Sequence, residues 1–211
     1  RRVLFRSAHA HSVNIDNANK RAYVCDLGKD QVLTYDVDIA NGKLSLASTV
    51  DEAPGEGPRH FTFHPSGKYV YVNNELGNTI TVYDLGSDGS LSPKQTESTI
   101  PDGWDGVTHT ADIHVSPDGA FVYVSNRGHD SIAIFSIDQS TGNVTAVGHE
   151  STQGETPRNF AITPDGKFLL AENQDSDSIV SFKRESDGTL TPTGSTIKVP
   201  APVCLQFLAA D

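Results

Sequence analysis

Apolar and polar residues alternate with a period of two along most of this chain, in short runs broken by glycine, proline, asparagine and aspartate. HFTFH at 60–64 and YVYVN at 69–73 flank the tetrapeptide PSGK. Period two puts alternate side chains on opposite faces of an extended strand, and the Pro-x-Gly element reverses the chain, so 57–75 predicts a β-hairpin. The pattern recurs. PRHFTFHPSGKYVYVNNELGNTITVYDLGSDGSLS, TADIHVSPDGAFVYVSNRGHDSIAIFSIDQSTGNVT and PRNFAITPDGKFLLAENQDSDSIVSFKRESDGTLT align with one another. A weaker copy, HSVNIDNANKRAYVCDLGKDQVLTYDVDIANGKLS, precedes them, and PVCLQFL begins another. The turn residues Pro65, Pro117 and Pro164 lie 52 and 47 residues apart, and Gly42, Gly89, Gly142 and Gly188 lie 47, 53 and 46 apart.

Each unit predicts four strands: two apolar, a third amphipathic, and a polar fourth reached through an N-G, D-G or T-G turn. Four antiparallel strands per 40–50 residues is the period of a β-propeller blade. A polar fourth strand suits the rim of the ring, and apolar inner strands suit burial between neighbouring blades. The predicted fold class is all-β. About four and a half blades would be present, at roughly 8–56, 57–108, 109–155 and 156–197, with a closing strand in 198–211. An arc of that size leaves two apolar faces open, so a single incomplete propeller domain is expected over 8–211.

Composition narrows the partners. The 211 residues carry a formal charge of −11, which disfavours nucleic acid and anionic membrane surfaces. No apolar run is long enough to span a bilayer. Cys25 and Cys204 are far apart and fit no zinc spacing, Asp-rich turns match no calcium loop, and no Gly-rich loop opens a helix. Neither metal nor cofactor is expected. RRVLFRS at 1–7 can be encoded by codons resembling a sequencing-library adapter, and the chain has no methionine. Residues 1–7 are therefore expected to be a non-native scar on a truncated reading frame.

GPRHFTFHPSGKYVYVNNELGNTITVYD, HTADIHVSPDGAFVYVSNRGHDSIAIFS and ETPRNFAITPDGKFLLAENQ resemble the lactonase family of seven-bladed β-propellers, which includes propeller-type 6-phosphogluconolactonases and carboxymuconate cyclases. The resemblance spans residues 9–208. It implies a lactone hydrolase acting without metal on a small anionic sugar-acid lactone, cytoplasmic and monomeric when full length. A lactonising cyclase is the alternative within the family, and a non-catalytic binding propeller the alternative outside it.

The entry to strand one and the exit of strand two lie at the same end of a meander blade, so charged residues there ring one mouth of the central channel. At or beside the entries stand His11, Arg59, Asp112 and Arg158. The exits are assigned Asp26, Glu75 and Arg127. Lactone hydrolysis needs a base for water, a donor for the oxyanion and a cationic seat for the substrate. The resemblance implies that His11, Arg59, Glu75 and Arg127 are catalytic, with His11 as base, the arginines on the anion and Glu75 orienting them or exchanging protons. Arg158, His60, Asp112 and Asp26 are expected to bind substrate, although His60 follows Arg59 on the opposite facing. His64 and His114 read as structural, and the long loop IPDGWDGVTHT first as a solvated loop, with a lid or specificity loop over the mouth as the alternative.

Overall fold

The structure is a computed structural model that describes residues 7–208. Over the described residues, sixteen strands form four antiparallel sheets of four, each in chain order. Blade 1 holds β1 (Ala10–Ile15), β2 (Arg21–Asp26), β3 (Gln31–Asp38) and β4 (Lys43–Asp51). Blade 2 holds β5 (Pro58–Phe63), β6 (Tyr69–Asn74), β7 (Thr79–Leu85) and β8 (Leu91–Ser98). Blade 3 is β9 (His109–Val115), β10 (Phe121–Arg127), β11 (Ser131–Ile137) and β12 (Val144–Ser151). Blade 4 is β13 (Pro157–Ile162), β14 (Phe168–Asn173), β15 (Ser178–Arg184) and β16 (Leu190–Lys198). The first strands β1, β5, β9 and β13 approach one another in succession and line the channel.

Burial follows position in the arc. Every residue of β6 is buried because blade 2 has a neighbour on each side, whereas β4 and β16 are largely exposed. Apolar clusters fill each blade junction. Phe61, Val70 and Val72 pack on Tyr23 and Val32; Tyr71 and Val82 on Val124 and Phe135; Tyr123 and Ile134 on Leu169 and Phe182. A polar tie repeats beside them. The hydroxyls of Tyr23, Tyr71 and Tyr123 donate to the carbonyls of Gly89, Gly142 and Gly188 of the following blade, at 3.1, 2.9 and 2.8 Å. These glycines hold φ of +84°, +74° and +85°, and a Cβ on Gly142 would lie 2.4 Å from the Tyr69 ring. Both the left-handed turn and the close approach require glycine.

The outer faces of the end blades are different. Val13 and Ile15 on blade 1 and Ile197 on blade 4 are more than half exposed. The closing strand expected in 198–211 does not form a ladder over the described residues. Residues 199–208 form no strand and are anchored at single points: Val199 N donates to Asp177 O (3.1 Å), Ala201 N to Asp177 Oδ1 (2.9 Å) and Leu205 N to Asn159 Oδ1 (3.2 Å). An extended segment without a neighbour has backbone groups but no register. Residues 1–6 of the expected scar and 209–211 of the expected closing strand lie outside the described residues.

Candidate active site

The mouth is built by a repeated irregularity. In β1, β5 and β13 the register with the second strand slips by one residue, at Ala10/Ser12, Pro58/His60 and Pro157/Asn159. The corresponding slip in blade 3 falls between Thr110 and Ile113, opposite Val124–Asn126. The extra residue of each bulge is His11, Arg59 or Arg158, with Ala111 in the blade 3 slip. A bulge re-aims consecutive side chains. Arg59 and His60 therefore both reach the channel, with Arg59 NH1 3.0 Å from His60 Nε2, and the opposite facing expected for His60 is corrected.

The approach to the mouth is fixed from below. Asp30, with φ +55°, accepts bonds from Gly55 N and Gly57 N at 2.8 Å each, which sets the entry to β5. Asparagine and aspartate tolerate this left-handed conformation. Glu75 N donates to Gly57 O at 2.7 Å, closing the other side of the same rim.

Glu75 bridges two arginines. Its Oε2 lies 2.7 Å from Arg59 Nε and its Oε1 3.0 Å from Arg127 NH2. The Arg59 side chain is only 3 % exposed and its NH1 also donates to Ala111 O. Burial works to raise the Glu75 pKa, but Arg127 and Arg59 outweigh it and hold the carboxyl below its ordinary value. Desolvation lowers Arg59 to about 10, with Glu75 opposing; the guanidinium stays charged at neutral pH. Arg127 is clasped by the long loop: Thr108 Oγ1 donates to its carbonyl (3.0 Å) and its NH2 to Thr110 O (3.2 Å). Its buried Nε has no hydrogen-bond partner among the described residues. Arg158 has no carboxylate partner there, and its charge acts on His11 and Arg59. The rim thus presents three arginines against one glutamate.

His11 faces the same rim, its ring 5.1 Å from that of His60. Desolvation, then the charges of Arg59 and His60, push its pKa down to about 4 against the pull of Glu75. Just inside the mouth, the buried Asp112 carboxylate collects five donors. Its Oδ1 takes His60 Nδ1 (2.7 Å) and Ile113 N (3.0 Å); its Oδ2 takes His114 Nε2 (2.9 Å), Phe160 N (3.2 Å) and Asn159 Nδ2. Burial opposes ionisation, but His114 and His60 prevail and hold Asp112 far below the ordinary carboxylate range. His114 rises in return, desolvation being outweighed by Asp112. A cavity of about 320 Å³ reaches His60, Asp112, His114, Asn159, Ser12 and Thr62. At the opposite end of the hairpins a groove of about 440 Å³ lies between blades 1 and 2, lined by Lys20, Arg21, Lys68 and turn glycines; its residues are spread over ordinary turns.

Two expectations shift. Asp26 pairs with Ala10 in register, as Asn74 does with Pro58, so the counterpart of Glu75 in blade 1 is Leu27. Asp26 turns away from the rim and caps its own turn, its Oδ1 accepting from His9 N (2.8 Å), Gly28 N (3.1 Å) and Lys29 N (3.1 Å). His114, read as structural, faces the cavity. His64 lies in the far turn, bonded to Ser66 and Gly119. Trp104 of the long loop packs edge-on against His129, with ring centroids 4.6 Å apart, on the flank of blade 3. Among the described residues no three His, Cys, Asp or Glu side chains are arranged to hold a metal ion, and no helix is long and apolar enough to cross a membrane.

The profile of a family described as lactonase, 7-bladed beta-propeller, matches residues 5–207. The chain belongs to this lactonase family. It is 40 % identical over 202 residues to a 6-phosphogluconolactonase of Bacillus subtilis, covering 95 % of this chain and 57 % of that protein. It is 44 % identical over 201 residues to a 6-phosphogluconolactonase of Formosa agariphila, covering 92 % of this chain and 54 % of the relative. The solved structure of a periplasmic gluconolactonase from Pseudomonas aeruginosa superposes with a TM-score of 0.91 at 33 % identity, over 97 % of this chain and 58 % of that one. This lactonase-family chain therefore spans a little over half the length of these relatives.

Proposed function

We propose that the arginine-rich rim binds an anionic sugar-acid lactone and that the ring to which these blades belong hydrolyses it, with 6-phosphogluconolactone as the substrate. The observation that carries this reading is the rim itself. Arg59 and Arg127 are fixed on a single carboxylate, and among the described residues Arg127 keeps a buried Nε without a partner and Arg158 has no counter-ion. A guanidinium pairs in a planar, two-pronged manner with carboxylate or phosphate oxygens and is costly to desolvate without such a partner. The family and the names of its 6-phosphogluconolactonase members support the same reaction class.

In this reading the lactone carbonyl oxygen points at the arginine pair, which stabilises the negative charge that develops as water attacks. Glu75, held ionised, keeps both guanidinium groups in place. An imidazole at the mouth takes the proton from water; the resemblance assigns that role to His11. The test is hydrolysis of 6-phosphogluconolactone and of unphosphorylated gluconolactone by the complete protein, followed by base uptake at constant pH. Acceleration of either above the spontaneous rate, lost in Arg59→Ala, supports the reading. Lactonisation of a carboxymuconate without any hydrolysis would assign the reverse chemistry, and inactivity on all three would leave a binding propeller.

A further inference from the structure

We propose that His60, oriented by Asp112, is the imidazole that moves the proton in this reaction, and that His114 is the counter-ion that keeps Asp112 in position. The inference rests on the lactone reading above and names the base within that site.

The tautomer of His60 follows from its partners. Asp112 is ionised and can only accept, so the proton between His60 Nδ1 and Asp112 Oδ1, 2.7 Å apart, sits on nitrogen. Arg59 has no acceptor, so its NH1 donates to His60 Nε2 across 3.0 Å, and Nε2 carries the lone pair. Two independent neighbours thus impose one state, with the proton on Nδ1 and the lone pair on Nε2. This is the arrangement in which a third group orients a catalytic base. It opens onto the cavity of about 320 Å³ that His60, Asp112 and His114 line. His114 completes the device from the other side, donating Nε2–H to Asp112 Oδ2 at 2.9 Å.

His11 suits a different task. A base whose pKa lies about three units below neutrality captures protons poorly, and burial, followed by the charges of Arg59 and His60, puts His11 at about 4. It is a neutral ring able to hydrogen-bond a substrate hydroxyl. The groups that face His60 are Asp112 from β9, Arg59 on its own strand and His11 from β1. His114, also from β9, shares Asp112 with His60; Glu75 is held by Arg59 and Arg127, Arg158 acts on His11 and Arg59, and Asn159 from β13 is uncharged.

The step then runs as follows. A substrate oxygen takes over the Arg59 NH1 donor and releases His60 Nε2. Nε2 removes a proton from water as the water oxygen bonds to the lactone carbonyl carbon and the carbonyl π pair moves onto oxygen beside the arginines. The carbonyl re-forms, the ring C–O bond breaks, and the ring oxygen takes the proton back from Nε2. Lactone and water give the hydroxy acid, with His60 restored.

The experiment measures kcat and KM for 6-phosphogluconolactone against pH in the complete protein and in His60→Gln, Asp112→Asn and His114→Gln. His60→Gln should lower kcat about 10²- to 10⁴-fold with little change in KM. His114→Gln removes a cation beside Asp112, so the acid limb of the kcat/KM profile should move to higher pH; a purely structural role would leave that limb in place. A second readout needs no variant: imidazole ¹⁵N shifts of the wild type should show His60 as the Nδ1–H tautomer. A His60→Gln enzyme within about threefold of wild type, or an Nε2–H tautomer, overturns the assignment of the base while leaving lactone hydrolysis intact. A wild type that hydrolyses no lactone overturns both.

Discussion

Replacing Glu75 with glutamine removes the one negative charge between Arg59 and Arg127 while keeping the shape of the side chain. The loss has two parts. Glutamine Oε1 can still accept from Arg59 Nε, at present 2.7 Å from the carboxylate, but its amide then turns a donor toward the Arg127 NH2 now 3.0 Å from Oε1. One charge-assisted bond is weakened and the other replaced by a donor–donor contact. Breaking a fully buried pair costs about 3–5 kcal/mol; Glu75 is 20 % and Arg127 15 % exposed, so screening reduces this to about 2–3 kcal/mol. For a chain of 211 residues that corresponds to a fall of about 4–12 °C in Tm. The pH dependence has a definite sign. The folded-state pKa of Glu75 is depressed, so its contribution is fully present above the ordinary glutamate value, about 4.3, and disappears as pH falls through the depressed value. Urea melts followed by far-UV circular dichroism at pH 7 and at pH 3 should therefore show a penalty for Glu75→Gln that shrinks in acid. A penalty under about 0.5 kcal/mol at pH 7, or one that grows in acid, refutes the reasoning. The exposed pair Arg21–Asp36 is the control: at 28 % and 53 % exposure, Asp36→Asn should cost at most about 1 kcal/mol.

Glu172 is buried with neither carboxylate oxygen hydrogen-bonded among the described residues, and desolvation followed by the charge of Asp112 raises its pKa to about 7 against the pull of His114. Its ionisation opposes folding as pH rises from about 4.3 through 7, so Glu172→Gln should stabilise on the order of 3 kcal/mol at pH 8 and little at pH 4, measured by the same melts. Gly142→Ala forces a Cβ against the Tyr69 ring in a left-handed turn and should cost at least about 2 kcal/mol, whereas Gly42→Ala, with open space around it, should cost only the turn strain of about 1 kcal/mol. Tyr83→Phe removes the hydroxyl that donates to the buried Glu52 and should lower stability by about 1–3 kcal/mol in a thermal scan.

The hairpins, their turns and the four-strand repeat were legible because period-two patterning and turn chemistry are local properties. The rim was legible in part. Arg59, Glu75 and Arg127 could be placed from the repeat alone, since each sits at a strand end. What escaped depends on one-residue shifts. The bulges that turn Arg59 and His60 to the same mouth leave no mark in composition, and strict alternation predicts the opposite for His60. The same kind of shift put Asp26 in line with Glu75, when the ladder aligns it with Asn74. His114 escaped because its importance comes from Asp112, two residues away on the same strand and facing the same channel. The unpartnered Glu172 is visible only once its neighbours are known.

The tyrosine-to-glycine ties run in one direction, from the second strand of each blade to the last turn of the next, and they join residues 65 to 71 positions apart. Among the described residues each of these ties joins neighbouring blades, so the arc is mechanically a row of links in series. Pulled from its two ends in an optical trap, it should lengthen in discrete jumps, each releasing one unit of about 46–53 residues, the spacing of its turn glycines and roughly 150–190 Å of contour. The terminal links, each gripped on one side only, should part first.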